Sequence, residues 1–317
     1  YLFFKLLGAS VWVSRLTSAL AALGSVIMMF FLGRKLGGVT LGLLAMGALT
    51  VNNYFIWQGR IGLLESLFVF WLLLGLLFLF KGLQDHSKFL IWSGTFFGAA
   101  LLTKYTFFFA APAILGFLVL FERSVFRQKN FWFGVFLFLI LISPLVVYNF
   151  EMYQSRGHFD VQLADVFSQS DRDWPLLGSR VSGTNFAFGE AFGHLGFGMT
   201  WPYFGLVLLA LPVAGFLIVR QKQRWLALPV LAAGLIFAGL SYAGGADRWL
   251  GVLSPFASLL VAVLLFQWWR LPMVWVLSAV LAAYSLVVVV NTNHALSASS
   301  SRFLTAALRK ENLGFNQ

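Results

Sequence analysis

Only 10% of this chain is charged, so the ionisable side chains that interrupt its apolar runs are where chemistry can be sought. Three short strings hold them. Gln58-Gly59-Arg60-Ile61-Gly62-Leu63-Leu64-Glu65-Ser66 brings an arginine and a carboxylate to the start of an apolar run. Leu101-Leu102-Thr103-Lys104-Tyr105-Thr106 sets a lysine, two threonine hydroxyls and a phenol at the vertex of an otherwise apolar hairpin. Asp247-Arg248-Trp249 opens another apolar run. An ionised group in a bilayer costs about 2.5 to 3.5 kcal/mol on insertion scales unless it is paired or faces water. Cations kept at that cost suit an anionic headgroup, because guanidinium and ammonium groups donate charge-assisted hydrogen bonds to phosphate oxygens.

Each string also has a plainer reading. Arg60 fits a snorkelling side chain, Glu65 an acid favoured by the dipole of a first helical turn, and Lys104 an interfacial lysine. Asp247 and Arg248 beside Trp249 fit a salt bridge in an aromatic belt. Glu65 runs within two residues into Leu67, Phe68, Val69 and Phe70, so it is expected to face a cavity rather than lipid, paired with Arg60. Such pairing lowers a carboxylate's pKa and weakens it as a base. His158, His194 and His294 match no metal spacing and read as surface or packing residues. With no cysteine there is neither a disulfide nor a thiolate site, and neither a metal nor a cofactor is expected. The formal charge of +11 is scattered over many short gaps and forms no basic stripe, which argues against a nucleic-acid partner and for membrane lipid.

The elements that position these residues follow from composition. Hydrophobic residues make up 60% of the chain and the mean hydropathy is +0.85, well beyond a water-soluble domain. A helix needs roughly 20 apolar residues to cross about 30 Å of hydrocarbon. Segments such as Leu67 to Phe80 and Phe131 to Val147 are apolar all round, without the alternation of a barrel strand, so an all-α fold is expected. Ten spans are read near 14–33, 38–54, 63–80, 89–103, 105–121, 131–148, 201–219, 225–242, 251–267 and 272–291. Phe89 to Phe121 as one helix would be about 50 Å long, so it is broken at Lys104.

Every second gap is cationic: Arg34 and Lys35; Lys81 and Lys88; Arg123, Arg127 and Lys129; Arg220, Lys222 and Arg224; Arg270. These eleven cations face only two carboxylates, Asp85 and Glu122, and mark the cytoplasmic loops; the other gaps hold nine carboxylates. Both termini are then external, as are Arg60, Lys104 and Arg248. The chain reads as a single transmembrane domain over 1–317, with one long acidic, glycine-rich external loop at about 150–200. Its stretch from Phe186 to Phe197 is expected to pack on the membrane face. A short amphipathic tail at about 298–317, with Phe303, Leu304, Ala307 and Leu308 on one face, reads as an interfacial anchor.

Several of these strings resemble the polyprenyl-phosphate-sugar glycosyltransferases of the GT-C class, in particular the protein mannosyltransferase family (glycosyltransferase family 39) and the aminoarabinose transferases of lipid A. Tyr1 to Lys5, Ser14 to Ala19 and Leu32 to Gly38 look like the stretch after that family's first external loop. Arg60 to Glu65 resembles its arginine-then-acid element, Leu102 to Thr106 its lysine-bearing turn, and Tyr148-Asn149 with the following loop a bacterial branch. Asp247 to Pro255 resembles an element usually written with tyrosine where this chain has Trp249. The resemblance implies a GT-C-like fold and transfer of a sugar from a polyprenyl-phosphate donor to a protein, lipid or glycan acceptor at the external face, in a bacterial plasma membrane. It implies Arg60, Lys104 and Arg248 as ligands of the donor phosphate, with Tyr105 and Asp247 supporting them. The family's catalytic acid lies upstream of the region matched by Tyr1, so the chain is expected to be a fragment, with Glu65 the nearest substitute base. A transporter or lipid flippase is the alternative, although no internal repeat is evident and the charges gather at one interface rather than at mid-membrane. A non-catalytic scaffold would leave the external cations without a role.

Overall fold

The computed structural model describes residues 2–8, 11–160, 163–164, 188–242 and 250–288, and among them it is all helix and turn. After the short α1 (Leu2–Leu7), α2 (Val11–Thr50) is two helices merged across a reversal at Gly37 and Gly38. Gly38 sits at φ 87°, which a side chain would strain. Its two halves close on each other through Gly33 and Gly42: a Cβ on Gly42 would lie 2.7 Å from the Phe30 carbonyl oxygen. The two spans read at 14–33 and 38–54 are these halves, but the second stops at Thr50. Asn52 ends it by accepting the Phe55 N–H at 3.1 Å and capping a new helix, α3 (Asn53–Arg60). A side chain that competes for backbone donors beat the apolar pattern there.

Next come α4 (Glu65–Gln84), α5 (Phe89–Thr103), α6 (Phe107–Phe121) and α7 (Lys129–Arg156). The break at Lys104 is present: its backbone is extended (φ −161°, ψ 134°) between α5 and α6. α7 runs on to Arg156, so Phe150 to Arg156 are helical where a loop was expected; Gly157 at φ 77° stops it. Another helix, α8 (Phe188–Met199), occupies the far end of the expected loop. It buries Ala191, Leu195 and Met199, spaced by four, against the rest of the bundle and leaves Phe197 at 82% exposure. Then follow α9 (Trp201–Arg220), α10 (Ala227–Tyr242), α11 (Leu250–Gln267) and α12 (Pro272–Val288).

α11 is the axis of the bundle. Its residues from Val252 to Leu265 are all buried, and it packs on α2, α9 and α10. α7 and α12 lie outside, where most apolar side chains are exposed, as helices facing hydrocarbon require. α4, α7 and α9 are long and apolar enough to cross a bilayer, and with α2 and the shorter apolar helices they make this an integral membrane protein. The expected tail at 298–317 lies outside the described residues.

Candidate functional site

α4 and α5 form an antiparallel hairpin, and its register decides which polar residues meet. Along it Gly82 sits against Leu90, and Gly75 against the Phe97 ring and the Ser93 hydroxyl, which donates to the Gly75 carbonyl at 2.9 Å. Continuing that register brings the start of α4 opposite the end of α5. Glu65 and Lys104 therefore meet, and the Lys104 ammonium donates to Glu65 Oε1. The pair is largely withdrawn from solvent, with side-chain exposures of 7% for Glu65 and 16% for Lys104.

The expected partner of Glu65 was Arg60, and that expectation fails. Arg60 closes α3 and is exposed, and a turn at Ile61–Leu64 with Gly62 at φ 70° separates it from α4. The turn is clamped to α2: Ser14 Oγ donates to the Gly62 carbonyl at 3.2 Å and Ser18 Oγ to the Leu63 carbonyl at 2.8 Å. Sequence proximity favoured Arg60; hairpin register delivered Lys104.

Two helix N-termini converge on this pair. Glu65 and Ser66 open α4, and Thr106 stands at the N-cap of α6 two residues after Lys104. The Ser66 and Thr106 hydroxyls are buried and lack a hydrogen-bond partner. The positive end of a helix dipole favours anions, although the first N–H groups of α6, at Phe107, Phe108 and Phe109, already donate to the Lys104, Tyr105 and Thr106 carbonyls.

Tyr105, expected to support Lys104, heads a closed hydrogen-bond network. Its hydroxyl donates to Asp160 Oδ2 and accepts from Asn149 Nδ2 at 3.2 Å. The Asn149 amide also donates to the Leu145 carbonyl at 3.1 Å, and its Oδ1 accepts the Asp160 N–H at 3.0 Å. Asp160 Oδ1 accepts the Leu163 N–H at 3.0 Å. Burial and the Asp160 carboxylate push the Tyr105 phenol well above its usual value, so it stays a donor. The positions of Asn149 and Asp160, eleven apart, gave no sequence sign of this meeting, because the segment between them had been read as loop.

A second polar group is buried on α3. Gln58 is fully buried, and neither its Nε2 nor its Oε1 has a partner. It lies against the first turn of α11, where a Cβ on Gly251 would come within 2.2 Å of Nε2. Asp247 and Arg248, just upstream, lie outside the described residues, as does His294. His158 is buried with Nδ1 2.6 Å from the Phe159 carbonyl oxygen, and His194 is half-buried; neither belongs to a group of metal-ligating side chains among the described residues.

Residues 1–148 match the family model described as dolichyl-phosphate-mannose-protein mannosyltransferase. That stretch carries Arg60, Glu65, Lys104 and Tyr105. No curated protein matches the chain. Among solved structures it is similar to ArnT from Cupriavidus metallidurans bound to undecaprenyl phosphate (TM-score 0.68, 15% identity, 88% of this chain and 50% of that one). The same protein in the apo state gives TM-score 0.63 at 19% identity, again over 88% of this chain and 50% of that one. The Archaeoglobus fulgidus oligosaccharyltransferase in the apo form gives TM-score 0.53 at 12% identity, over 87% of this chain and 43% of that one. The chain therefore has the GT-C fold expected of it, and spans about half the length of the solved structures it matches.

Proposed function

We propose that this chain is the donor-binding part of a membrane glycosyltransferase that uses a polyprenyl-phosphate-linked sugar. The observation that carries the reading is the Lys104 ammonium, held in a mostly buried ion pair with Glu65 at the starts of α4 and α6; Ser66, next to Glu65 in the chain, and Thr106, two residues after Lys104, bury unpartnered hydroxyls. An ammonium so placed can exchange one carboxylate contact for contacts to the phosphate of a lipid-linked sugar, a diester in the donor and a monoester after transfer, without leaving its position. The family match and the capture of undecaprenyl phosphate by the similar ArnT support the same ligand.

In the reaction the acceptor oxygen bonds to the anomeric carbon as the bond from that carbon to the phosphate oxygen breaks, and charge grows on the leaving lipid phosphate. Preorganised cations stabilise that charge. Lys104 acts from the α5–α6 turn, Arg60 from the exposed end of α3, and Arg248, with Asp247, from the residues ahead of α11. A carboxylate takes the proton of the acceptor hydroxyl. The end of the bundle bearing Lys104 faces the exterior of a bacterial plasma membrane, by the positive-inside bias of the opposite end. The acceptor is a protein, lipid or glycan.

The test is binding of undecaprenyl phosphate to the full chain in lipid nanodiscs. Charge-assisted hydrogen bonds are worth about 1.5–3 kcal/mol each. Lys104→Gln and Arg60→Gln should each weaken binding about tenfold or more while leaving insertion intact. Wild-type affinity in both variants returns Lys104 to an interfacial lysine and Arg60 to snorkelling.

A further inference from the structure

α7 is an apolar helix with only two fully buried residues, Gly134 and Asn149, one toward each end. Gly134 is one place where it touches α5, which also packs on it through Gly98 against Phe138 and Leu141: a Cβ on Gly94 would fall 2.2 Å from the Gly134 carbonyl oxygen, so only glycines permit that approach. Asn149 is the corresponding fastening at the other end, and it is polar. A carboxamide on a lipid-facing helix is costly unless all its hydrogen bonds are made. Here they are made, and two of its partners, Tyr105 and Asp160, come from different segments. The Tyr105 hydroxyl accepts from Asn149 and donates to Asp160; Asp160 in turn takes the Leu163 N–H. Every donor in this ring faces an acceptor.

Three pieces of chain are thereby set as one unit: the α5–α6 turn, the end of α7, and the first residues of the loop that follows it. The turn is three residues, Lys104 to Thr106, and its lysine precedes the phenol directly. Thr103 is already committed, its hydroxyl donating to the Ala99 carbonyl at 2.7 Å.

We infer that Tyr105, Asn149 and Asp160 are positioning residues for Lys104, fixing the turn so that its ammonium is held for the lipid phosphate and tying that turn to the start of the long loop. The inference rests on the donor-binding reading above. None of the three touches the phosphate: they act through the lysine. A change at Asp160 is therefore felt at the donor.

A double-mutant cycle in the full chain, read by undecaprenyl phosphate binding in phosphatidylcholine nanodiscs, tests this. Tyr105→Phe removes one hydroxyl and should weaken binding about three- to tenfold. Asp160→Asn keeps an acceptor oxygen for the phenol and should stay within about twofold of wild type, whereas Asp160→Ala should match Tyr105→Phe. In the Lys104→Gln background Tyr105→Phe should have no further effect, a dependence that general destabilisation does not produce. If Lys104→Gln weakens binding while Tyr105→Phe and Asp160→Ala both keep wild-type affinity, or if the Tyr105 effect persists undiminished without Lys104, the positioning role is overturned and the donor reading survives. If Lys104→Gln itself binds normally, the donor reading falls and takes the inference with it.

Discussion

The two ends of this bundle treat charge in opposite ways. At one end lie Lys35, Lys81, Lys88 and Asp85, where the ion pair Lys35–Asp85 has side-chain exposures of 20% and 40%. The Lys81 ammonium rests over the Phe78 and Phe89 rings, 5.5 and 5.7 Å from their centroids. That is how lysines behave at an interface: stem along apolar surface, head toward water. At the other end Glu65 is buried with Lys104, the Tyr105–Asn149–Asp160 ring is closed, and Asn52, Gln58, Ser66 and Thr106 each bury a polar atom with no partner. Membrane insertion explains the charges of the first end, where Gln128 Oε1 is a buried polar atom without a partner. The second carries several kcal/mol of polar burial that insertion does not require, and such expenditure in a membrane protein marks function.

The comparison breaks outright if the ends are assigned to the wrong sides. Cations concentrate in the gaps at Lys129 and Gln221, so reporter tags placed there should read cytoplasmic, and a tag near Ser170 external. The effect is all or none. A cytoplasmic Ser170 would reverse both ends and remove the proposed site from the face where a lipid-linked sugar is used.

The next largest effect belongs to Glu65→Ala, which takes a carboxylate away from the mostly buried Lys104 ammonium. Breaking a buried pair from one side costs about 3–5 kcal/mol. Thermal unfolding in detergent, followed by tryptophan fluorescence, should show a drop of many degrees. Glu65→Ala combined with Lys104→Met should recover most of it, because the stranded charge is gone. A single variant as stable as wild type would mean that water reaches Lys104 freely, and the distinction between the ends would lose its physical basis.

How much of this was legible in the sequence differs between the ends for the same physical reason. The spans, their alternation and the cationic gaps depend on local composition, and α4, α5, α6 and the Lys104 break lie where hydropathy put them. The site depends on register. Lys104 and Tyr105 could be singled out as polar residues inside apolar runs, but the partner of Glu65 is set by how α4 and α5 pair, which no local pattern states. Asn149 and Asp160 were hidden by the misplaced end of α7: once Phe150 to Arg156 are helical, the chain reverses at Gly157 and returns Asp160 to Asn149. The Asn52 break was available in principle, since an asparagine pair inside an apolar run is a capping signal.

Gln58 sharpens the comparison by separating stability from function. A buried carboxamide with neither atom paired loses about 1–3 kcal/mol of hydration for each group. Gln58→Met, similar in volume and apolar, should therefore raise the unfolding temperature, by the equivalent of about 1 kcal/mol. If this end is built for a polar ligand, the more stable variant should bind undecaprenyl phosphate or turn over donor less well than wild type. A variant both less stable and unimpaired in binding would show that the amide serves packing alone.

The smallest effect is expected at Lys35 and Asp85, and its smallness is the informative part. Their contact is short, 2.5 Å, yet both side chains reach water, and exposed ion pairs contribute about 0–1 kcal/mol whatever their separation. Lys35→Ala should shift unfolding by no more than a degree or two. The shift should vanish at high salt, because a Debye length of about 3 Å at 1 M screens an exposed pair. Orientation should hold as well, since ten of the eleven cations on that side remain. The loss caused by Glu65→Ala should persist at the same ionic strength, because salt screens a buried charge poorly. If the two variants instead lost stability equally and recovered equally with salt, both pairs would be ordinary interfacial contacts. Charge burial would then no longer distinguish the end of the bundle that carries Lys104.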